Sequence, residues 1–185
     1  MFNTTQDAQA ARALLPRALQ CLPEHSQLST TSKFAALEFR SPAGDPERGR
    51  TLFEGLIASW PRRWDFWGIL LDLEISRVGR EAKVSVSDKD SKGDKARKDS
   101  KQQDTAAVDG IRKLFNRVLG CKGLKDKTAR SFFRKWVAFE EGLGAKSGQV
   151  EVVKRKAGEW VRRRGEAKDP GKKRDGRETE EEEEE

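Results

Sequence analysis

Residues 50–57 read RTLFEGLI, and sixty-two positions later residues 112–119 read RKLFNRVL, with Arg, Leu and Phe at the same places. A second echo accompanies the first. KFAALEF (33–39), ILLDLEI (69–75) and KWVAFEE (135–141) each set a large apolar residue three before another and follow it with glutamate: Phe34, Leu37, Glu38; Leu70, Leu73, Glu74; Trp136, Phe139, Glu140. The first two glutamates are 36 residues apart; the next step is 66, or about 40 once a charged stretch of 25 residues is set aside. A period in the mid-thirties with two helices in each period predicts an all-α chain, an α-solenoid of antiparallel helix pairs, because one pair alone cannot cover its apolar face. The alternative is an ordinary helical bundle with accidental similarity.

Apolar spacing supports helices and nowhere a sustained alternation. Leu52, Phe53, Leu56, Ile57 and Trp60 lie on one helical face, with Asp45 as N-cap and Pro46 at the first helical position. The next stretch, WDFWGILLDLEISRV, is apolar nearly all round, which predicts a helix covered on several sides and stopped by Gly79. The predicted helices are 7–22, 27–41, 46–60, 63–78, 106–121, 126–142 and 147–164. Phe34, Leu37, Leu52, Phe53, Trp64, Trp67, Leu70, Leu73, Leu114, Phe115, Phe133, Trp136 and Phe139 are the predicted repeat core. Residues 10–23, AARALLPRALQCLP, read as the second helix of a pair whose first is absent, so that the chain starts in mid-unit and reads as a fragment of a longer array. Pro16 is expected to kink or shorten that helix.

Charge divides the chain further. Residues 80–104 hold eight basic and six acidic residues with no Leu, Ile, Phe, Trp or Met; residues 161–185 hold eight basic and ten acidic, a basic half followed by ETEEEEEE. Neither has the apolar area to offset chain entropy, so both are expected to be disordered. The expected organisation is repeats over 1–79, a charged insert over 80–104, repeats over 105–164 and a basic-then-acidic tail over 165–185. The chain's net charge is +7, and the remainder without the two charged stretches keeps that value, which attracts polyanions without identifying one. Cys21 and Cys121 show no metal or disulfide spacing, as suits a reducing compartment. No apolar run is long enough to span a membrane, and no signal-peptide pattern opens the chain.

Nothing here reads as an enzyme. The single histidine, His25, follows Pro23 in an expected inter-helix loop without a nucleophile beside it, and no phosphate-binding glycine motif occurs. No cofactor, metal or small-molecule substrate is expected. The aromatic residues fall at core spacing rather than on exposed stacking platforms. The repeated glutamates are expected to bond neighbouring helix groups. Two basic sets are candidate contacts to RNA or a protein partner: Arg62 and Arg63 at an inter-helix turn, and Arg162, Arg163 and Arg164 with Lys172, Lys173 and Arg174 in the tail, which would bind phosphates without reading sequence.

The aromatic-x-x-apolar-Glu helix followed by Arg-x-Leu-Phe resembles the half-a-tetratricopeptide (HAT) repeat of RNA-processing proteins. The stretches KFAALEF, GDPERGRTLFEGLIASWPRRWDFW and SFFRKWVAFEEGLG look more closely like the C-terminal HAT region of the rRNA biogenesis protein / programmed cell death protein 11 family, over roughly residues 8–79 and 106–161. That resemblance implies a nucleolar, non-catalytic scaffold of ribosome biogenesis, with other pre-ribosome assembly proteins and pre-rRNA as partners and the small-subunit processome as setting. Members of the family also carry OB-fold RNA-binding repeats, and none lies in these residues. The alternatives are an electrostatic RNA-binding module and a HAT-repeat factor of pre-mRNA splicing or 3′-end processing; GDPERGRTLFEGL argues against the latter.

Overall fold

The structure, a computed structural model, describes residues 8–87, 94–144 and 148–168. Seven helices and no strand occur among them: α1 (Ala8–Cys21), α2 (Glu24–Arg40), α3 (Pro46–Ser59), α4 (Trp64–Ser87), α5 (Asp94–Leu119), α6 (Asp126–Gly142) and α7 (Gln149–Lys168). Each helix packs on its neighbours in sequence, and α2, α4 and α6 also pack on one another in turn. The result is an all-α solenoid in which every second helix builds a central layer, flanked by the remaining helices.

The middle helix shows why the pattern needs a stack. α4 touches α2, α3, α5 and α6, and Phe66, Trp67, Leu70, Leu71, Leu73 and Val78 are all buried along it. Each fully buried side chain of this size stabilises by about 1.5–3 kcal/mol relative to exposure, so α4 anchors its four neighbours. In the next unit Phe115 stacks on Trp136 with ring centroids 5.2 Å apart, and Phe139 tilts against the Phe115 ring at 6.3 Å.

A local signal starts α3. Asp45 Oδ1 accepts from the backbone N–H groups of Glu47 and Arg48 at 3.0 and 3.4 Å and starts α3, and Pro46 needs no partner at that first position. Two close approaches demand glycine. A Cβ at Gly44 would lie 2.3 Å from the Glu38 carbonyl oxygen, and one at Gly49 would lie 2.7 Å from the Phe39 ring; both let α3 seat closely on α2.

Several expectations are corrected. Gly79 does not stop a helix: α4 runs to Ser87, and α5 begins at Asp94, so both enter the charged stretch 80–104, of which 88–93 lie outside the described residues. Arg80 gives a physical reason, since its guanidinium donates to the Phe39 carbonyl at 2.6 Å and ties this turn of α4 to the end of α2. A single helical glycine costs only about 1 kcal/mol, less than such anchoring returns. α1 runs through Pro16 without ending. α2 begins at Glu24, so His25 is exposed on its first turn rather than in a loop.

Phe34 and Leu37 are half-buried and outside the main core, whereas Ser32, Ala35, Glu38 and Phe39 form the buried face of α2. Their counterparts in α4 and α6 are buried; α1 meets α2 over fewer residues than α7 meets α6, so the outer side of α2 is less covered. Leu52, Trp64 and Leu114 are half-buried against the core, and Phe53, Trp67, Leu70, Leu73, Phe115, Phe133, Trp136 and Phe139 lie within it. The expected tail overlaps α7 up to Lys168, and residues 169–185 lie outside the described residues.

Candidate functional site

The repeated glutamates meet the repeated arginines. Arg12 donates through Nε and Nη2 to the two carboxylate oxygens of Glu38, both at 2.8 Å. Arg112 does the same to Glu140 at 2.9 and 2.8 Å. Arg50 makes the equivalent fork to Glu74, with its Nη2 at 2.9 Å from Oε2. All three glutamates are buried. Such bidentate pairs fix both distance and orientation, so each clamps the first helix of a unit to its second.

This clamp resets the repeat phase. Arg12 begins Arg-Ala-Leu-Leu, the same place that Arg50 and Arg112 hold in Arg-x-Leu-Phe. α1 is therefore the first helix of its pair with α2, not a second helix in search of a partner. Leu15, Phe53, Phe115 and Val153 are the equivalent buried residues on α1, α3, α5 and α7, and Val150 stands on α7 where the others carry arginine. The signal for α1 was present in RALL, where leucine in place of phenylalanine hid it.

The clamps are electrostatically committed to their partners. Burial alone would raise the Glu38 carboxyl, but the hydrogen bonds from Arg12 and the Asp45 backbone N–H outweigh it and hold the group below the ordinary carboxylate range. Glu140 is also held below that range, chiefly by Arg112, against burial and with help from the indole N–H of Trp136 at 3.0 Å. These charges are spent on structure, and no group of His, Cys, Asp and Glu among the described residues is arranged to hold a metal ion.

The basic candidates separate on inspection. Arg62 is exposed at the α3–α4 turn, with its Nε against Gly123 of the α5–α6 turn. Gly123 has φ +87°, a conformation that favours glycine. Arg63 is exposed but turned to Asp65 at 2.8 Å and placed over the Phe66 ring. Trp60, next to this turn, is among the most exposed large apolar residues. Arg62, Arg63 and Trp60 thus share one edge of the stack.

On α7, Arg163 and Arg164 enter a groove with α5 and α6, while Arg162 is exposed; Lys172, Lys173 and Arg174 lie outside the described residues. The groove has a volume of about 490 Å³. Lys156, half-buried, donates to Asn116 Oδ1 at 2.9 Å and lies 5.0 Å above the Trp136 ring. Arg164 lies 5.3 Å above the Trp160 ring and pairs with Asp126 at 3.2 Å. Two further hollows lie nearby, one between Trp160, Arg164, Asp126 and Arg130 and one on α6 at Lys127, Arg130 and Arg134. Sequence reading missed this site because Lys156 and Arg130 join it only through the crossing of α6 and α7.

No family model matches the chain. It is similar to curated proteins named for rRNA biogenesis. It is 40% identical over 154 residues to the fission yeast rRNA biogenesis protein rrp5, which covers 83% of this chain. It is 32% identical over 156 residues, 84% of the chain, to RRP5 of Arabidopsis thaliana, and 30% identical over 154 residues, 83% of the chain, to the human RRP5 homolog. The match spans only 7%, 6% and 6% of those proteins. A clamped all-α repeat whose residues align at this level across yeast, plant and human places the chain in the RRP5 rRNA biogenesis protein family.

Proposed function

We propose that the chain is a non-catalytic scaffold of ribosome biogenesis, which docks assembly factors close to pre-rRNA in the nucleolus. The observation that carries this reading is the match of more than four-fifths of the chain to proteins named for rRNA biogenesis. The architecture supports it: stacked helix pairs present long surfaces for other macromolecules, and the buried glutamates are used to hold helices together. No helix among the described residues is long and apolar enough to cross a membrane.

The exposed edge with Trp60, Arg62 and Arg63 is the proposed partner contact, since an exposed tryptophan beside arginines is a common interface anchor. Purification of the tagged chain from nucleolar extract tests the reading. Pre-ribosomal proteins and pre-rRNA should co-purify. After nuclease treatment and a high-salt wash the proteins should stay, because a packed interface depends less on ionic strength than phosphate contacts do. Recovery of spliceosomal or 3′-end-processing components instead would refute it. Complete loss of partners with the nuclease would favour the electrostatic RNA-binding module.

A further inference from the structure

The groove between α5, α6 and α7 is cationic beyond what the fold requires. Lys156, Arg163 and Arg164 line it, and Lys127, Arg130 and Arg134 line two adjoining hollows on α6, against only Asp126 and Glu159 among these linings. At the equivalent place on α3 and α5 the chain has buried Leu56 and Val118; on α7 it has Lys156. An apolar position of the repeat has therefore become a held ammonium group.

The floor decides what kind of anion suits it. Trp136 is covered on one face by Phe115 and on the other by Lys156. Trp160 carries Arg164 over its face and meets Phe133 edge-on. A nucleobase stacks on an open aromatic face, and the Trp136 ring is occupied by Phe115 and Lys156 while Trp160 carries Arg164. What the groove offers is a row of ammonium and guanidinium groups, several steadied over rings, which suits carboxylates through forked, charge-assisted bonds.

We propose that this groove is the docking site of the glutamate-rich segment of this same chain, residues 178–185. That segment holds seven glutamates in eight residues, against a groove with an excess of four positive charges among the residues named. Nine residues, 169–177, join it to the end of α7 at Lys168. Extended, they reach about 30 Å at ~3.3 Å per residue, whereas Lys156 lies about 18 Å back along α7 at 1.5 Å per residue. That tether is long enough to return to Lys156, and it gives the segment a local concentration of about millimolar.

Zero-length carbodiimide coupling of the full chain, followed by mass spectrometry, tests this, because it joins only carboxylates and lysines in contact. Residues 178–185 should couple to Lys156 and Lys127 and not to Lys33 or Lys113, which are exposed elsewhere. The combination Arg130→Glu, Arg163→Glu and Arg164→Glu should abolish those couplings while helical circular dichroism is retained. Coupling spread evenly over all exposed lysines, or unchanged by the three substitutions, overturns the proposal. A second measurement is independent of coupling. In the full chain, changing Glu178 and Glu180 through Glu185 to Gln should strengthen binding of a synthetic ETEEEEEE peptide at least tenfold. Equal binding by both chains overturns the proposal, as does a single-stranded oligonucleotide that binds the groove and is not displaced by the peptide.

Discussion

Removing either half of the third clamp should destabilise the chain, by different amounts, and removing the arginine should reverse the wild-type response to pH. Glu140 is fully buried, whereas the Arg112 side chain is 24% exposed and has a second partner, Asp109, at 3.2 Å. Breaking a buried pair from one side costs about 3–5 kcal/mol, because a charge is left without compensation. Glu140→Leu strands Arg112, which can turn to Asp109 and water, so its cost belongs near 3 kcal/mol on that scale. Arg112→Leu strands a carboxylate with only the Trp136 N–H, so its cost belongs near 5 kcal/mol. Either is a large share of the roughly 5–15 kcal/mol of a whole domain.

The pH signs follow from linkage. In the native chain Glu140 lies below the ordinary carboxylate range, so its contribution is complete above that range and is lost as pH falls through the folded value. In Arg112→Leu, burial without a guanidinium raises the folded value above the unfolded one, so acidification from neutral should restore part of the lost stability. Urea unfolding of wild type, both single variants and Arg112→Leu/Glu140→Leu at pH 7 and pH 5 checks this, with circular dichroism at 222 nm as the signal. The double variant should be more stable than Arg112→Leu alone. Equal losses in the two single variants, or parallel pH responses in Arg112→Leu and wild type, would refute the reasoning.

Three further outcomes are expected. Trp67, buried at the middle of the stack with Arg117 over its ring, should cost about 3–5 kcal/mol when cut to alanine, seen as a lower melting temperature. Replacing Arg62 and Arg63 together by Ser should leave the melting temperature within about 2 °C, since exposed ion pairs contribute little to stability, and should reduce recovery of partner proteins in pull-downs. Gly49→Ala should destabilise because its Cβ meets the Phe39 ring, while Gly110→Ala, with open space at its Cβ, should stabilise α5 by about 0.5–1 kcal/mol; calorimetry of the two variants reads the contrast.

The helix-forming parts of the chain were legible where local chemistry decides them. Asp45-Pro46 marks the start of α3, and the apolar stripe of α6 gives its bounds without error. The glutamate repeat was equally plain, and its expected bonding to neighbouring helices is what the structure shows at Glu38, Glu74 and Glu140. What stayed hidden depended on tertiary partners. Arg80 extends α4 past Gly79 by reaching a carbonyl 41 residues earlier, and no local rule contains that bond. The phase of α1 was hidden by one leucine, and the cationic groove by the crossing of two helices whose charges look merely solvated when read in line.

The clamps also govern where this architecture accepts extra sequence. Arg12 and Glu38 are 26 residues apart, Arg50 and Glu74 24, and Arg112 and Glu140 28. Every clamp closes a short loop, so each hairpin forms at low entropic cost without waiting for distant segments. The charged stretch 80–104 lies between Glu74 and Arg112, outside every clamped loop. Added length at that place leaves all three closures unchanged, whereas the same residues placed between Arg50 and Glu74 would have to be paid for in the hairpin itself. The solenoid is thus divided into clamped segments of 24–28 residues and joints between them, and the charged stretch 80–104 falls at a joint.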